Sequence, residues 1–327
     1  MIIDTDGGVD DACALWWALT DPSIDLVAVT VVWGNVDVAV ATQSVRRVLA
    51  AAGRPEIPVA VGSAGPIGPA PTLARATFIH GEDGLGGDQG LGGDDSVPER
   101  APDLLRRMTS ERPGEISLVT IGPLSTIGAL VTADPSWAAT IDELVVMGGA
   151  VRSGGNALPR GEANIAHDPG AAAAVVGARW KQPPLLVGLD VTHQATISPA
   201  EMELLKEHRS AAAEFLDAPL SFYRRRGAAF TAPDCPCHDL VALLAWSDPG
   251  LVTEAPLLPL AVDTGGGPAW GSTVVDMRGW EAAEGRETFL APPGYVPWRV
   301  ALGVDVARFR RRVGILFGDP ARPAREG

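Results

Sequence analysis

The densest chemistry in the chain lies at its start. Asp4-Thr5-Asp6-Gly7-Gly8-Val9-Asp10-Asp11 places four carboxylates within eight residues, directly after the apolar run Met1-Ile2-Ile3. Like charges this close repel one another unless a cation neutralises them or water solvates them. Oxygen-only donors suit hard ions such as Ca²⁺ or Mg²⁺. Gly7 and Gly8 let the backbone turn sharply between the two carboxylate pairs. A helix N-cap in a solvated acidic turn would account for one aspartate, but not for four beside two glycines.

Other groups have chemical potential and plainer alternatives. His238-Asp239 stands in DCPCHDLVALLAW, where Asp239 precedes an apolar helical run and fits an N-cap. A histidine there titrates near neutrality unless its surroundings intervene. Cys235 and Cys237 raise a zinc alternative, but C-x-C-H lacks a second ligand pair at recognisable spacing. Asn156, Glu162 and Asn164 together donate and accept, which suits several hydroxyls at once; ordinary loop polarity explains them equally well. Asn35 ends a strand-like run at Trp33-Gly34 and can share an edge with Asp6, or simply form a turn. His80 opens the Gly-rich segment 81–95, which is either a lid over a site or a surface loop. Phe222, Tyr223 and Phe230, and more weakly Trp270, could stack on a planar ring or pack in a core.

The elements that must position these groups alternate. Strand-like runs at 1–5, 24–33, 57–61, 116–121, 144–147 and 185–189 are interleaved with helical patterns at 9–20, 38–52, 124–131 and 170–178. That order predicts an α/β fold: an open, mostly parallel Rossmann-like sheet with helices on both faces. The stretch 199–230 reads as helical and 257–304 as short strands that extend or edge the sheet. With no repeat and no Pro/Ser linker, residues 1–327 are expected to form a single domain with extra C-terminal helices and short strands. In such sheets ligands bind beyond the carboxyl ends of the strands, where Asp6 would sit.

Composition narrows the partners. With 46% hydrophobic residues and 20% charged, long disorder is not expected. A net charge of -14 argues against nucleic acid, whose phosphates need clustered Lys and Arg, but leaves a small neutral ligand open. Three cysteines, two of them one residue apart, do not make a disulfide framework, so a reducing cytoplasm is expected. No signal-peptide pattern opens the chain and no apolar run of 18 residues suggests a membrane span.

Taken together, these segments resemble the inosine-uridine preferring nucleoside hydrolase family. DTDGGVDDACAL at 4–15 resembles its N-terminal metal motif, and the likeness continues through IHGEDGLGG, IGPLSTIGAL, VVMGGA, GEANIAHDP, LDVTHQ, CHDLVAL and GSTVVDMRG. The resemblance implies calcium-dependent hydrolysis of ribonucleosides to ribose and a free base. It implies Ca²⁺ held by Asp6, Asp11, Asp239 and the Ile121 carbonyl, with Asp6 as general base toward a water at the metal. It implies that Asp10, Asn35, Asn156, Glu162 and Asn164 hold the ribose, with His80 also at the substrate. His238 would stand by the nucleobase and help protonate it as it leaves. A homodimer or homotetramer is expected on the same ground. There are three departures from the family pattern: Gly7 replaces a usual Pro, Ala163 a frequent Phe, and Cys235 and Cys237 enrich the approach to His238. Gly7 is expected to loosen a turn, and Ala163 to widen the pocket. The remaining alternatives are a nucleoside- or ribose-binding protein without turnover and a metal-dependent phosphohydrolase. The latter lacks a phosphate-cradling Gly loop followed by Lys.

Overall fold

The computed structural model describes residues 1–87, 99–227, 234–281 and 291–318. Its centre is a nine-stranded sheet. The strands are β1 (Ile2–Thr5), β2 (Ala28–Val31), β3 (Val59–Val61), β4 (Ile116–Thr120), β5 (Ile141–Met147), β6 (Leu185–Val187), β7 (Leu257–Val262), β8 (Thr273–Val275) and β9 (Val296–Val300). They are ordered β8-β7-β9-β6-β5-β4-β1-β2-β3. The run from β9 to β3 is parallel, and β7 pairs antiparallel with both β8 and β9.

β1, β2 and β4 are buried throughout, which is why they read as unbroken apolar runs rather than alternating ones. Successive residues still face opposite ways: Ile3 packs into one core and Ile2 into the other. The first core holds the helices Val9–Thr20, Val38–Ala51, Ala211–Gly227 and His238–Ser247, and the second Ala101–Glu111, Ser125–Ala133 and Pro169–Gly177. Helices therefore cover both faces, as expected. The C-terminal strands edge the same sheet, and a last helix, Val306–Leu316, packs into the first core.

From β1 the chain winds outward through β2 and β3, then returns to place β4, β5 and β6 on the other side of β1. The winding reverses between β1 and β4. Strand ends diverge at such a point and leave a crevice. Asp6 follows β1 and Ile121 follows β4, so the two flank this crevice.

Candidate active site at the switch point

Asp6, Asp10, Asp11 and Asp239 are all buried, the last at the start of the helix His238–Ser247, which packs on Val9–Thr20. One oxygen each of Asp10, Asp11 and Asp239 lies within 4.8 Å of the others. Among the described residues this is the group that could hold a metal ion, and its donors are carboxylates alone. Cys13, Cys235 and Cys237 are buried free thiols that join no such group, which leaves the zinc alternative without support.

Asp11 is the best-supported member. Its Oδ1 accepts from the Thr5 hydroxyl and, at 3.2 Å, from the Asp6 N–H; its Oδ2 accepts from the Gly8 N–H at 2.8 Å. Asn35 bridges the carboxylates. Its N–H donates to Asp6 Oδ2 at 2.8 Å, and its Nδ2 donates to Asp6 Oδ1 at 3.0 Å and Asp11 Oδ2 at 3.4 Å. The residue expected to bind ribose thus also fixes the orientation of Asp6.

The cluster carries more negative charge than its surroundings support. Burial, then the Asp11 charge, pushes the Asp10 carboxyl up to about 7. Asp6 is raised well above the usual carboxylate range by burial and Asp11, and Asp239 by burial and the charges of Asp10, Asp11 and Asp6. Clustered hard oxygens, buried and mutually repelling, fit a divalent cation.

The cluster opens into a cavity of about 340 Å³ lined by Asp10, Asn35, His80, Ile121, Asn156, Glu162, Asn164, His238 and Asp239, with Met147, His167, His193 and Tyr223. Nine of the eleven site residues expected from the sequence therefore meet around one space; Asp6 and Asp11 are not part of its lining. On one wall, Glu162 caps the helix Ala163–His167. Its Oε1 accepts from the Asn164 N–H at 3.0 Å, and its Oε2 from the N–H groups of Gly149 at 2.9 Å and Ile165 at 3.2 Å. Burial raises this carboxyl to about 7. Asn164 Nδ2 donates to the carbonyls of Ile121 at 3.1 Å and Met147 at 3.2 Å, and so fixes the Ile121 carbonyl. Asn156 Oδ1 accepts from the Ala163 N–H at 2.9 Å.

Histidines also line the cavity. His80 Nδ1 accepts from the Val9 N–H at 3.1 Å, so a neutral ring carries its proton on Nε2. Burial lowers its pKa to about 4, so its 4.0 Å approach to Asp10 is not an ion pair at neutral pH. Its ring lies 5.1 Å from Tyr223. His238 is pushed down to about 3 by burial and by His193 and His80. Burial thus favours the neutral imidazole at His238, where an unperturbed histidine would titrate near neutrality.

Two glycines matter for geometry. A Cβ on Gly34 would lie 2.0 Å from Asp6 Oδ2, so the turn after β2 approaches the carboxylate too closely for any side chain. Gly7 has φ +72 and faces Ala41 Cα, 2.7 Å from where a Cβ would stand. Proline cannot adopt that angle. The departure at position 7 is thus a different turn, not a looser version of the same one.

Segment 81–87 is tied down rather than free: Asp83 takes Arg47 at 3.0 Å and accepts from the Leu85 and Gly87 N–H groups, each at 2.8 Å. The rest of the Gly-rich segment, 88–95, lies outside the described residues, as does Phe230. Tyr223 lines the cavity, whereas Phe222 packs on Gly86 and under the Arg226 guanidinium at 5.3 Å. Trp270 sits in a turn, its N–H on the Gly267 carbonyl, and does not line the cavity. Met147, His167, His193 and the buried Thr192 lie within segments that carry the resemblance (VVMGGA, GEANIAHDP, LDVTHQ), but no role was expected of them individually.

The description of the family model that matches residues 1–311 is inosine-uridine preferring nucleoside hydrolase. The chain is 35% identical over 314 residues to the non-specific ribonucleoside hydrolase RihC of Escherichia coli, covering 96% of each chain. It is 32% identical over 314 residues to uridine nucleosidase 1 of Arabidopsis thaliana, covering 94% of this chain and 89% of that one. A solved plant nucleoside hydrolase, PpNRh1, superposes with a TM-score of 0.87 at 33% identity, over 98% of both chains.

Proposed function

Because the chain belongs to the inosine-uridine preferring nucleoside hydrolase family, and so hydrolyses N-glycosyl bonds of ribonucleosides, we propose that it does so with Ca²⁺ at the switch point and Asp6 as general base. One arrangement carries this reading: buried carboxylates converge at one end of a cavity whose other walls hold amides and histidines. Asp6, Asp11, Asp239 and the Ile121 carbonyl would hold the ion; of these, Asp11 and Asp239 belong to the converging trio, whose third member is Asp10. When bound, the cation supplies positive charge that neutralises the cluster and acidifies a water held there.

The residues then divide the work. Asp6, oriented by Asn35 on both oxygens, takes a proton from the attacking water. Asp10, Asn35, Asn156, Glu162 and Asn164 seat the ribose hydroxyls. The Asp10 and Glu162 carboxylates, in their ionised form, and the amide oxygens stabilise the oxocarbenium-like state through which glycosidic bonds break. His238, with His80, His193 and Tyr223 around it, meets the nucleobase, which leaves poorly unless a donor stabilises it. The expected homodimer or homotetramer belongs to the same proposal and is checked by light scattering in solution.

The deciding experiment is ribose release from inosine, adenosine, guanosine, uridine and cytidine, by wild type and Asp6→Ala, with Ca²⁺ and with chelator. Release that needs Ca²⁺ and disappears in the variant supports the proposal. Full release in chelator removes the cation, and full release by Asp6→Ala removes Asp6 as base.

A further inference from the structure

His238 is held from behind by a residue that neither touches the cavity nor belongs to the carboxylate cluster. Its Nδ1 lies 2.8 Å from the Thr192 hydroxyl. Thr192 ends the short helix Leu189–Thr192 that follows β6, and it is fully buried. Helical threonines commonly return their hydroxyl proton to the carbonyl four residues back. Thr20, Thr42, Thr109 and Thr132 all do so here, onto Trp16, Val38, Leu105 and Gly128. Thr192 does not: among the described residues its hydroxyl meets only the His238 ring.

We propose that Thr192 is a positioning residue: its hydroxyl donates to His238 Nδ1 and so keeps the imidazole proton on Nε2, on the cavity side of the ring. The proposal rests on the nucleoside hydrolase reading above and deepens it on the leaving-group side. The opposite tautomer would have Nδ1–H donate to the hydroxyl oxygen. The hydroxyl proton would then be buried with no acceptor, and an unmade buried hydrogen bond is the costly kind. The ring has little room to turn, since His193 meets it edge-on at 5.6 Å and 61°.

This arrangement defines what His238 can do. A neutral imidazole with Nε2–H donates a hydrogen bond to the base as the C1′–N pair moves onto it. The water oxygen bonds to C1′, its proton goes to Asp6, and solvent returns a proton to the released base. No imidazolium is required, because the Thr192 hydroxyl donates to Nδ1 and leaves the ring's one proton on Nε2. Polarisation by a neutral, correctly held imidazole is an established catalytic role for histidine.

The test compares leaving groups. Thr192→Val keeps the shape and removes the donor; Thr192→Ser keeps the donor. Each is assayed with Ca²⁺ on uridine and inosine, whose bases need help to leave, and on 4-nitrophenyl β-D-ribofuranoside, whose leaving group departs as a stable anion. Thr192→Val is expected to lower kcat on the nucleosides about 10- to 100-fold with KM little changed, part of what a donor at the leaving group contributes. Its kcat on the nitrophenyl riboside should stay within about threefold, and Thr192→Ser should recover most of the nucleoside rate. A parallel loss on both substrate types, or no loss on nucleosides, overturns the proposal. A wild type active on the nitrophenyl riboside but on no nucleoside would instead overturn the underlying reading. Independently of any variant, nitrogen NMR of the wild-type His238 ring should show Nε2 protonated and Nδ1 bare. The reverse assignment sinks the idea.

Discussion

Asp6 is a charged side chain placed where its neighbours oppose its charge. It is buried, faces the Asp11 and Asp10 carboxylates, and owes its orientation to two hydrogen bonds from Asn35. Function and stability should therefore separate in Asp6→Asn. The variant loses the proton acceptor, so kcat for ribose release is expected to fall about 10²- to 10⁴-fold. It also removes a charge from a repelling cluster, so in chelator its Tm should equal or exceed that of wild type. A lower Tm in chelator would mean that Asp6 serves packing rather than chemistry. Gly7 offers a second contrast. Restoring the proline usual in the family demands φ near -65° where the backbone stands at +72°, and it removes the N–H that donates to the Thr5 hydroxyl at 3.2 Å. Gly7→Pro is expected to lower Tm and weaken cation binding, and Gly7→Ala to cost about 1–2 kcal/mol for the left-handed angle alone. Denaturant unfolding of both variants checks this; a stabilising Gly7→Pro would mean that the turn can convert to the proline form.

At the scale of elements, the site is made by ends: the ends of β1, β2 and β4 and the starts of the helices Val9–Thr20, Ala163–His167 and His238–Ser247. Each junction has its own local requirement. At the end of β2 it is the absence of a side chain at Gly34, so Gly34→Ala should displace Asp6 and reduce kcat sharply while the sheet core stays intact. At Ala163–His167 it is Glu162, which satisfies three buried N–H groups. Glu162→Ala is expected to destabilise the fold by about 1–3 kcal/mol for each donor left unmet, read as a lower denaturation midpoint. These junctions also show what the sequence could tell. Parallel strands buried on both faces appear as apolar runs, so β1, β2, β4 and the Asp-rich turn after β1 were visible directly. Helices of four or five residues, such as Ala163–His167 and Leu189–Thr192, are too short to show a period, so apart from the resemblance Glu162 read as loop polarity, and Thr192 entered within LDVTHQ with no role of its own. The helix Ala101–Glu111 is an addition from the structure, and Val306–Leu316 gives bounds to the C-terminal helices that were expected without them. His238 was noticed from its own segment, but its state depends on Thr192, 46 residues away, and on His193 and His80, which only the fold brings near.

For the whole molecule, the carboxylate cluster links cation binding to pH. Without a cation, Asp10 is raised from 3.8 to about 7, and Asp6 and Asp239 are also raised, with burial the leading cause in each. A carboxyl whose pKa is higher in the folded state than in the unfolded one favours folding while it is protonated. That contribution is complete below the unfolded value near 4 and is lost as pH rises through the folded value near 7. Over the same interval the cluster gains the negative charge that a divalent cation needs, so binding becomes tighter as pH rises and releases protons when it occurs at lower pH. The histidines run the other way, because His80 and His238 are lowered and their contribution fades as pH falls below about 6.5. Their influence is largely common to the loaded and chelated protein, so the informative quantity is the difference between the two. The rise in Tm on adding Ca²⁺ should be small near pH 5 and grow through pH 7 to a plateau near pH 8, while Asp239→Asn, which removes one donor, should flatten the curve. Thermal unfolding at a series of pH values, with Ca²⁺ and with chelator, measures this directly. A Ca²⁺-induced rise that is independent of pH would place the ion on groups already ionised at pH 5, away from Asp10 and Asp239.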